Sequence, residues 1–339
     1  QSRAVRRIAQ HASTFVGLSG TPITRDTGDI YPTLAAMEPL SWPDRTRFVK
    51  RYLSTEDTGY SQEVTGLNML REPEFRTALA GQYRRVAKGD VLSQLPPKVH
   101  STRRVDLPPE WRKAYKGMED DMLAELPDGG ELEVMSVLAQ LTRLSQFASS
   151  ATDVEVTIEE NEDGELAKHY KVTLIKPSWK VAALKGVLEE RPGQQVVVFA
   201  ESRQLIDIAG EELEASGLKC GYITGTRSHK ERAADIENFQ AGALDVMLAT
   251  SGAGSLGITL TAAGTAVFLQ RSWQLDKAVQ PEDRLHRIGQ EHDCVEIIDI
   301  IARDTVDDRV RDLLRVKGGH LGQLVKDPRI VKELMGGLK

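Results

Sequence analysis

The chain has 339 residues, of which 40% are hydrophobic, enough for two compact domains with packed cores. No apolar run approaches the roughly 20 residues of a membrane span, and no basic start precedes an apolar stretch, so the sequence predicts an intracellular protein that is neither membrane-embedded nor secreted. The net charge of −6 is uneven, because the stretch from Asp153 to Glu165 holds seven acids and no Lys or Arg; it therefore neither supports nor excludes phosphate binding.

The first residues predict the middle of a longer protein, because the chain opens on Gln1 rather than Met. Residues 2–11 have helical composition, and Thr14 to Leu18 is predicted to be a short buried strand. That strand would run into Ser19-Gly20-Thr21-Pro22 and place hydroxyls and amides at the carboxyl edge of a sheet, where α/β folds have their sites. The same residues also fit an ordinary turn, which is the plainer interpretation.

Residues 29–89 show a helical pattern with Pro and Gly breaks, and a basic cluster of Arg84, Arg85 and Lys88 closes it. The Pro96-Pro97 pair then predicts an extended linker. The core of this region is predicted to be formed by its large apolar and aromatic residues: Trp42, Phe48, Tyr52, Leu53, Phe75, Leu79 and Tyr83.

A strand is predicted over residues 99–107, with Lys98, His100, Arg103 and Arg104 on its surface. Such a basic strand fits either a phosphate backbone or a solvated face. Two helices, over 109–126 and 131–148, follow it. Residues 154–158 and 168–175 then alternate β-branched and polar residues around a turn, which predicts an acidic β-hairpin without assigned chemistry.

The pattern after Pro177 alternates helices with short, almost wholly apolar strands. This alternation predicts a parallel sheet covered by helices on both faces. Cys220 and Cys294 fall in predicted strands and are expected to be buried thiols, without a disulfide or metal role. The predicted elements are helix 178–190, strand 195–199, helix 203–216, strand 220–224, helix 228–240, strand 245–249, strand 265–269, helix 274–285 and strand 295–301.

Polar and glycine-rich strings follow two of these strands. Thr224-Gly225-Thr226 ends one strand, and Ser228 is placed to cap the next helix. The other string, Thr250 to Ile258, contains three glycines, which would let backbone amides approach an anion closely. Spacing alone favours a tight connection instead, and the chain contains no Gly-Lys-Ser/Thr phosphate loop.

Two arginines, Arg284 and Arg287, lie three residues apart in the predicted helix 274–285 and its continuation, with Gly289 as the expected stop. Their guanidinium groups would leave the same helix face and match phosphate oxygens. They could stabilise the charge that develops on a phosphoryl group as it is transferred. A solvated face, with surface pairs to Glu282 and Asp283, is the alternative that spacing alone favours.

Four strings in one order resemble the Swi/Snf family of ATP-dependent DNA translocases, within helicase superfamily two. The His-Arg-Ile-Gly-Gln ending of the last string is specific to that family, and further resemblance at 196–202 and 222–239 extends the likeness over essentially the whole chain. The four strings are Leu18 to Ile23, Asp90 to Lys98, Thr250 to Ile258 and Gln280 to Gln290.

The resemblance implies a second RecA-like lobe that meets ATP held by a first lobe, with DNA crossing both. Arg284 and Arg287 would be arginine fingers that reach the γ-phosphate. Gln280, Gly257 and Asp283 would lie near the nucleotide. Residues 305–315 would form a brace helix. The resemblance also implies coupling between the two sites by Ser19, Gly20 and Thr21, and contacts to DNA by the strand-end residues Thr250, Ser251, Ser202, Thr224 and Gly225. The basic strand independently predicts phosphate contacts by Arg103 and Arg104.

The implied domains are the end of a first RecA-like lobe (1–28), a helical protrusion and linker (29–98), a helical region with the acidic hairpin (99–176), the second lobe (177–303) and a brace with a tail (304–339). The Walker A lysine and the acidic box that hold ATP and Mg²⁺ would belong upstream of Ser19. An arginine finger acts only on phosphates that are already bound, so the chain alone is expected to be inactive. A monomer that binds duplex DNA is predicted.

Two other functions fit parts of the sequence. A non-catalytic docking module would share the fold, but it needs neither both arginines nor the glycine-rich string. An RNA helicase of the same superfamily usually carries Gln-x-x-Gly-Arg-x-x-Arg, whereas this chain has Asp283 before Arg284 and an Ile-Gly-Gln ending.

Overall fold

The computed structural model describes residues 2–18, 27–57, 62–84, 86, 88–92, 94–124, 142–160, 166–254, 257–272, 278–308 and 311. The chain forms two compact units. The described residues of the first lie within Gln1–Ser93, and those of the second lie within Gln94–Trp273 and Lys277–Asp312. Ser19, Gly20, Thr21 and Arg85, together with most of the predicted brace helix, lie outside the described residues.

The first unit is built around an aromatic cluster whose ring centroids lie 5.1–6.1 Å apart. It consists of Tyr31, Trp42, Phe48, Tyr52 and Phe75, so most of the predicted core is confirmed. The elements are the helices Ser2–Ala9, Tyr31–Met37, Arg45–Tyr52, Glu72–Leu79 and Lys88–Val91, the 3-10 turn Thr27–Ile30, and the antiparallel strands β1 (Leu53–Asp57) and β2 (Gln62–Leu67).

Two predictions for this unit are wrong. The helical pattern over 29–89 missed the β1–β2 hairpin, in which pairing between strands decides the structure rather than the composition of either one. The predicted strand at Thr14 to Leu18 has no regular structure, and Val16 and Leu18 are 68% and 93% exposed. A short apolar run becomes a strand only where it finds a neighbour to pair with.

The second unit contains a six-stranded parallel sheet in the order β3-β10-β9-β6-β8-β7. Its strands are β3 (Lys98–Val105), β6 (Val196–Ala200), β7 (Cys220–Ile223), β8 (Val246–Thr250), β9 (Thr265–Phe268) and β10 (Val295–Ala302). The connecting helices are Pro109–Ala124, Trp179–Glu189, Arg203–Ala215, His229–Gln240, Ser251–Gly254 and Glu282–Leu285, and residues 142–147 are also helical.

Alternate residues of each central strand face opposite sides of the sheet, and both sides are buried. Val196 and Val198 pack with Leu205 on one side, whereas Val197 and Phe199 pack on the other. Phe199 stacks on Phe268 of β9 with their centroids 5.1 Å apart. The prediction of a parallel sheet covered on both faces is therefore confirmed.

The acidic segment forms the predicted hairpin, with β4 (Ala151–Glu160) antiparallel to β5 (Leu166–Ile175). The basic strand β3 pairs along its whole length with β10 and so belongs to the sheet, whereas the sequence placed it in a separate helical region. Sequence periodicity identified the strand but could not show its partner, which lies about 200 residues further along the chain.

The two cysteines differ in burial. Cys220 lies half-buried in β7, and burial raises the pKa of its thiol to about 12. Cys294 lies just before β10 and is exposed, so the expectation of burial is wrong for this residue. Among the helices that the structure describes, none has the length and apolar content to cross a bilayer.

Lys180 is a fully buried charge in the helix Trp179–Glu189. Its Nζ donates to the carbonyl of Leu269 at 2.7 Å and pairs with the Asp307 carboxylate at 2.7 Å. Burial raises the pKa of Asp307, and the Lys180 ammonium opposes that shift. The pair therefore ties the end of β9 to the chain that follows β10.

Lys180→Met is expected to destabilise the protein by about 3 kcal/mol, because it leaves the Asp307 carboxylate without its partner. Urea unfolding at pH 7 measures the change. Lys171→Met is the matched control, because the Lys171–Glu155 pair is exposed and solvent screens it, so the free energy of unfolding should hardly change. Equal costs for the two variants would contradict this view of Lys180.

Candidate functional site

A groove lined by polar residues and glycines lies where β6, β7 and β8 end. The three strands are parallel and in register, with Ala200 opposite Thr250 and Ile223 opposite Ala249. The residues that follow them therefore meet at one edge of the sheet. They form a cleft of about 390 Å³, which is lined by Glu201, Arg203, Gly225, Thr226, Thr250 and Gly252.

The groove contains part of the predicted DNA-contacting set. Thr250 and Gly225 line it directly. Three more residues of the set lie beside the groove but have structural partners or are buried. Ser202 caps the helix Arg203–Ala215 by accepting from the Leu205 amide, Thr224 is buried with its hydroxyl 3.1 Å from that of Thr226, and Ser251 is buried.

Two glycines of the groove are not required by the fold. Among the described residues, and apart from its own chain neighbours, a Cβ added at Gly225 or Gly252 would meet no atom within 4 Å, and neither residue has a positive φ. The space in front of these two backbones is therefore open. Open space over a strand-end backbone is what close approach of a phosphate needs.

Gln270 is a residue that the sequence did not single out. It is buried just past β9, where its Oε1 accepts from the Ser202 amide at 2.9 Å and its Nε2 donates to the Ser149 hydroxyl at 3.0 Å. It thereby fixes the start of the helix that borders the groove. The one available signal was an uncharged polar residue directly after an apolar strand.

The turn that carries the two arginines differs from the prediction. Among the described residues, 278–279 and Glu282–Leu285 are helical with a turn between them, and the second helix ends at His286. Arg287 follows the helix, so the expected common helix face for both arginines is wrong. Residues 273–277 of the predicted helix lie outside the described residues.

The segment 258–260 is hydrogen-bonded to both arginines. The Arg287 Nη1 donates to the Ile258 carbonyl at 3.1 Å and lies 3.2 Å from the Thr259 hydroxyl. The Leu260 amide donates to the Arg284 carbonyl at 2.9 Å. Gly257, which is exposed, directly precedes this segment.

Arg284 is half-buried, and burial lowers the pKa of its guanidinium. The neighbouring Arg287 charge lowers this pKa further, and Asp283 opposes the shift. Two cations held together in a partly desolvated place repel each other, and a bound anion would relieve that repulsion. The arrangement therefore fits a phosphate group better than a solvated surface.

The helix itself is held by Glu282, which is 4% exposed. The Glu282 carboxylate pairs with Arg271 at 2.7 Å and with Lys98 at 3.5 Å, and Arg271 also reaches Asp299 at 2.6 Å. Burial would raise the pKa of Glu282, but the charges of Arg271 and Lys98 outweigh it and lower that pKa. The sequence allowed surface pairs between the two arginines and Glu282 and Asp283. Instead, Glu282 makes these buried contacts, and Asp283 contacts Lys98 at 3.2 Å.

The residues around Arg287 shape the turn that exposes it. His286 is buried with its Nε2 2.9 Å from the Pro96 carbonyl, and the Gln290 side-chain amide donates to the Leu285 and Ala263 carbonyls. Gly289 has φ +96°, a conformation that favours glycine. The His-Arg-Ile-Gly-Gln string thus fixes a turn with Arg287 on its outside. Gln280 contributes its carbonyl, which accepts from the Asp283 amide at 3.1 Å.

Arg103 and Arg104 do not join the groove. Arg103 pairs with Glu190 at 2.6 Å and Arg104 with Asp308 at 3.4 Å. They lie on β3, four strands from β8, which corresponds to about 19 Å at the usual strand spacing. Their predicted contact with DNA is therefore separate from the groove.

Glu282→Gln is expected to destabilise the protein by about 3 kcal/mol at pH 7, because Arg271 and Lys98 lose a buried counter-charge. The fold lowers the pKa of Glu282, so its stabilising contribution is present above the unfolded pKa of about 4.3 and is lost as pH falls through the folded pKa. The difference in the free energy of unfolding between wild type and variant should therefore decrease as the pH is lowered. Urea unfolding across pH measures it.

Glu190→Gln is the matched control for this substitution. It removes an exposed, solvent-screened carboxylate from its pair with Arg103 and should leave the free energy of unfolding nearly unchanged. A Glu282→Gln cost equal to that of the control would refute the buried role of Glu282.

Comparison with known proteins matches this architecture to one family. Residues 5–152 match the SNF2-related domain, and residues 179–289 match the helicase conserved C-terminal domain. The chain is 28% identical over 312 residues to the mouse (Mus musculus) chromodomain-helicase-DNA-binding protein 1-like, covering 90% of this chain and 32% of that protein. It is 24% identical over 326 residues to CHROMATIN REMODELING 5 of Arabidopsis thaliana, covering 94% of this chain and 18% of that protein.

The chain thus spans less than a third of the length of these two relatives. Its fold is also shared with a solved structure, the Sulfolobus solfataricus SWI2/SNF2 ATPase core in complex with dsDNA. That structure is 20% identical and has a TM-score of 0.51, with 95% of this chain and 66% of that chain covered. The two domain matches and the RecA-like parallel sheet identify the chain as a member of the Swi/Snf family, within helicase superfamily two.

Proposed function

We propose that the chain is the C-terminal motor portion of a DNA-stimulated ATPase that translocates on duplex DNA inside the cell. The observation that carries this proposal is the pair of contacts made by residues 250 and 258–259, which lie close together in the chain at and after the end of β8. Thr250 lines the groove, and Ile258 and Thr259 bind Arg287. Nearby residues of one stretch of chain therefore line the groove and contact Arg287, and the Leu260 amide in the same stretch binds the Arg284 carbonyl. A motor that couples DNA to nucleotide requires such a link.

The nucleotide half of the proposed site is the arginine turn. Arg284 and Arg287 would stabilise the charge that develops on the γ-phosphoryl group, and Gly257, beside Arg287, would let the nucleotide come close. Gln280 and Asp283 are proposed to lie near the nucleotide as parts of the same turn. ATP and Mg²⁺ would be held by the first RecA-like lobe, so the chain alone is expected to show no ATP turnover.

The DNA half is the groove. Thr250 can donate its hydroxyl to a phosphate, and the open backbones at Gly225 and Gly252 leave room for the phosphate to approach. Ser202, Thr224 and Ser251 would support these contacts from beneath. Arg103 and Arg104 are proposed to meet DNA elsewhere, and Ser19, Gly20 and Thr21 to couple hydrolysis to DNA. A monomer is proposed.

The polymer that stimulates the ATPase distinguishes the proposed function from two others. A docking module would show no stimulation by any polymer, and an RNA helicase would respond to RNA. Stimulation by duplex DNA supports the proposal, whereas stimulation by RNA alone would overturn it.

Arg287→Ala and Arg284→Ala are each expected to lower ATP turnover by about 10³-fold or more when the chain is joined to its ATP-binding lobe, because each removes charge stabilisation from the transition state. A DNA-stimulated ATPase assay measures kcat. Arg303→Ala is the control, because Arg303 is exposed and contacts only Asp106 at 3.7 Å among its salt-bridge partners in the described chain. Turnover unaffected by either substitution would rule out the arginine-finger role.

Gly252→Ala is expected to weaken duplex DNA binding by about tenfold without loss of stability. The added methyl meets no protein atom but fills the space in front of the groove, and one lost charge-assisted hydrogen bond corresponds to that factor. Alanine favours the short helix Ser251–Gly254 by up to about 1 kcal/mol, so unfolding should not confuse the result.

Gly186→Ala is the matched control, because Gly186 lies in the helix Trp179–Glu189 with equally open space. Fluorescence anisotropy with a labelled duplex at two salt concentrations measures affinity and its dependence on phosphate contacts. Identical affinities for the two glycine variants would exclude the groove as the DNA site.

A further inference from the structure

The contacts of Arg287 occupy one nitrogen of its guanidinium. Nη1 lies 3.1 Å from the Ile258 carbonyl and 3.2 Å from the Thr259 hydroxyl, so both of its N–H groups are directed to protein oxygens. A guanidinium has five N–H donors, of which Nη1 carries two. The other three lie on Nε and Nη2, along the edge that forms a fork for a phosphate or carboxylate.

These two partners are neutral oxygens, so the positive charge of Arg287 is not offset by a carboxylate at this contact. Arg287 is also exposed and lies outside the helix, where a long side chain would otherwise sample many rotamers. Because these contacts restrict the rotamers beforehand, less side-chain entropy is lost when an anion binds. The contact therefore orients Arg287 without neutralising it.

We propose that Thr259 is a positioning residue for Arg287. Its hydroxyl holds Nη1 so that the Nε–Nη2 edge faces the phosphoryl group that is transferred. This inference rests on the proposed function, because it assigns Thr259 a role in the same reaction. Of the two oxygens that hold Arg287, only the one on Thr259 belongs to a side chain and can be removed by substitution.

The backbone of this segment is held by bonds that do not use the Thr259 hydroxyl. The Leu260 amide donates to the Arg284 carbonyl at 2.9 Å, and the Ala262 amide donates to the Gln240 side chain at 3.0 Å. Thr259→Val keeps the shape of the side chain and removes only its hydroxyl. The variant should therefore fold normally, and its urea midpoint checks this.

The kinetic test uses the chain joined to its ATP-binding lobe. Thr259→Val is expected to lower kcat about tenfold, with KM for ATP changed less than about twofold, because the lost bond acts in the transition state rather than in ground-state binding. Thr259→Ser keeps a hydroxyl and should recover most of the rate. Thr261→Val is the matched control, since the Thr261 hydroxyl accepts from Gln240 instead of Arg287.

A second measurement on the chain itself separates this inference from the proposed function. Nitrogen relaxation of the Arg287 Nε should show a restricted side chain in wild type and in Thr259→Ser, and a mobile one in Thr259→Val. Unchanged relaxation in Thr259→Val would overturn the inference. So would an unchanged kcat in Thr259→Val when Arg287→Ala is impaired. If Arg287→Ala itself turns over normally, the proposed function fails, and the relaxation data alone then decide whether Thr259 positions Arg287.

Discussion

The buried carboxylate of Glu282 is the interaction on which the arginine turn depends. It draws together Arg271 from the end of β9 and Lys98 from the start of β3. Through Arg271 it also reaches Asp299 in β10. Three strands of the sheet therefore fix a helix of four residues that could not hold its position by its own hydrogen bonds. These ion pairs hold Arg284 and Arg287 in place and are separate from the apolar core.

The groove depends on a different kind of support. Parallel strands in register bring their carboxyl ends to one edge, and helix caps at Ser202 and Ser228 start the next helices there. Gln270 adds a buried polar link beneath this edge. The resulting site has fixed walls and open space over Gly225 and Gly252, where an added Cβ would meet no atom of the described neighbours. Rigid surroundings with an open backbone suit a ligand that is bound and released repeatedly.

The sequence predicted the sheet because apolar runs, helix periodicity and caps such as Ser228 are local signals. It identified the two arginines and the strand-end strings as candidate functional residues because their residue types indicate phosphate-binding chemistry. It did not predict that Glu282 is buried, since the partners Arg271 and Lys98 lie 11 and 184 residues away. The same limit explains the missed β1–β2 hairpin and the misplaced strand at Thr14, because pairing is a property of two segments and neither segment shows it alone.

The position of β10 has a consequence for how the protein is made. This strand lies between β3 and β9, so nearly two hundred residues leave the ribosome after β3 before its neighbour exists. During that time β3 has an open edge whose amides and carbonyls can pair with a foreign strand. It carries two exposed cations, Arg103 and Arg104, one on each face, and like charges oppose such pairing between nascent copies. We therefore expect the charges on this strand to oppose aggregation during synthesis, independently of what they bind in the folded protein.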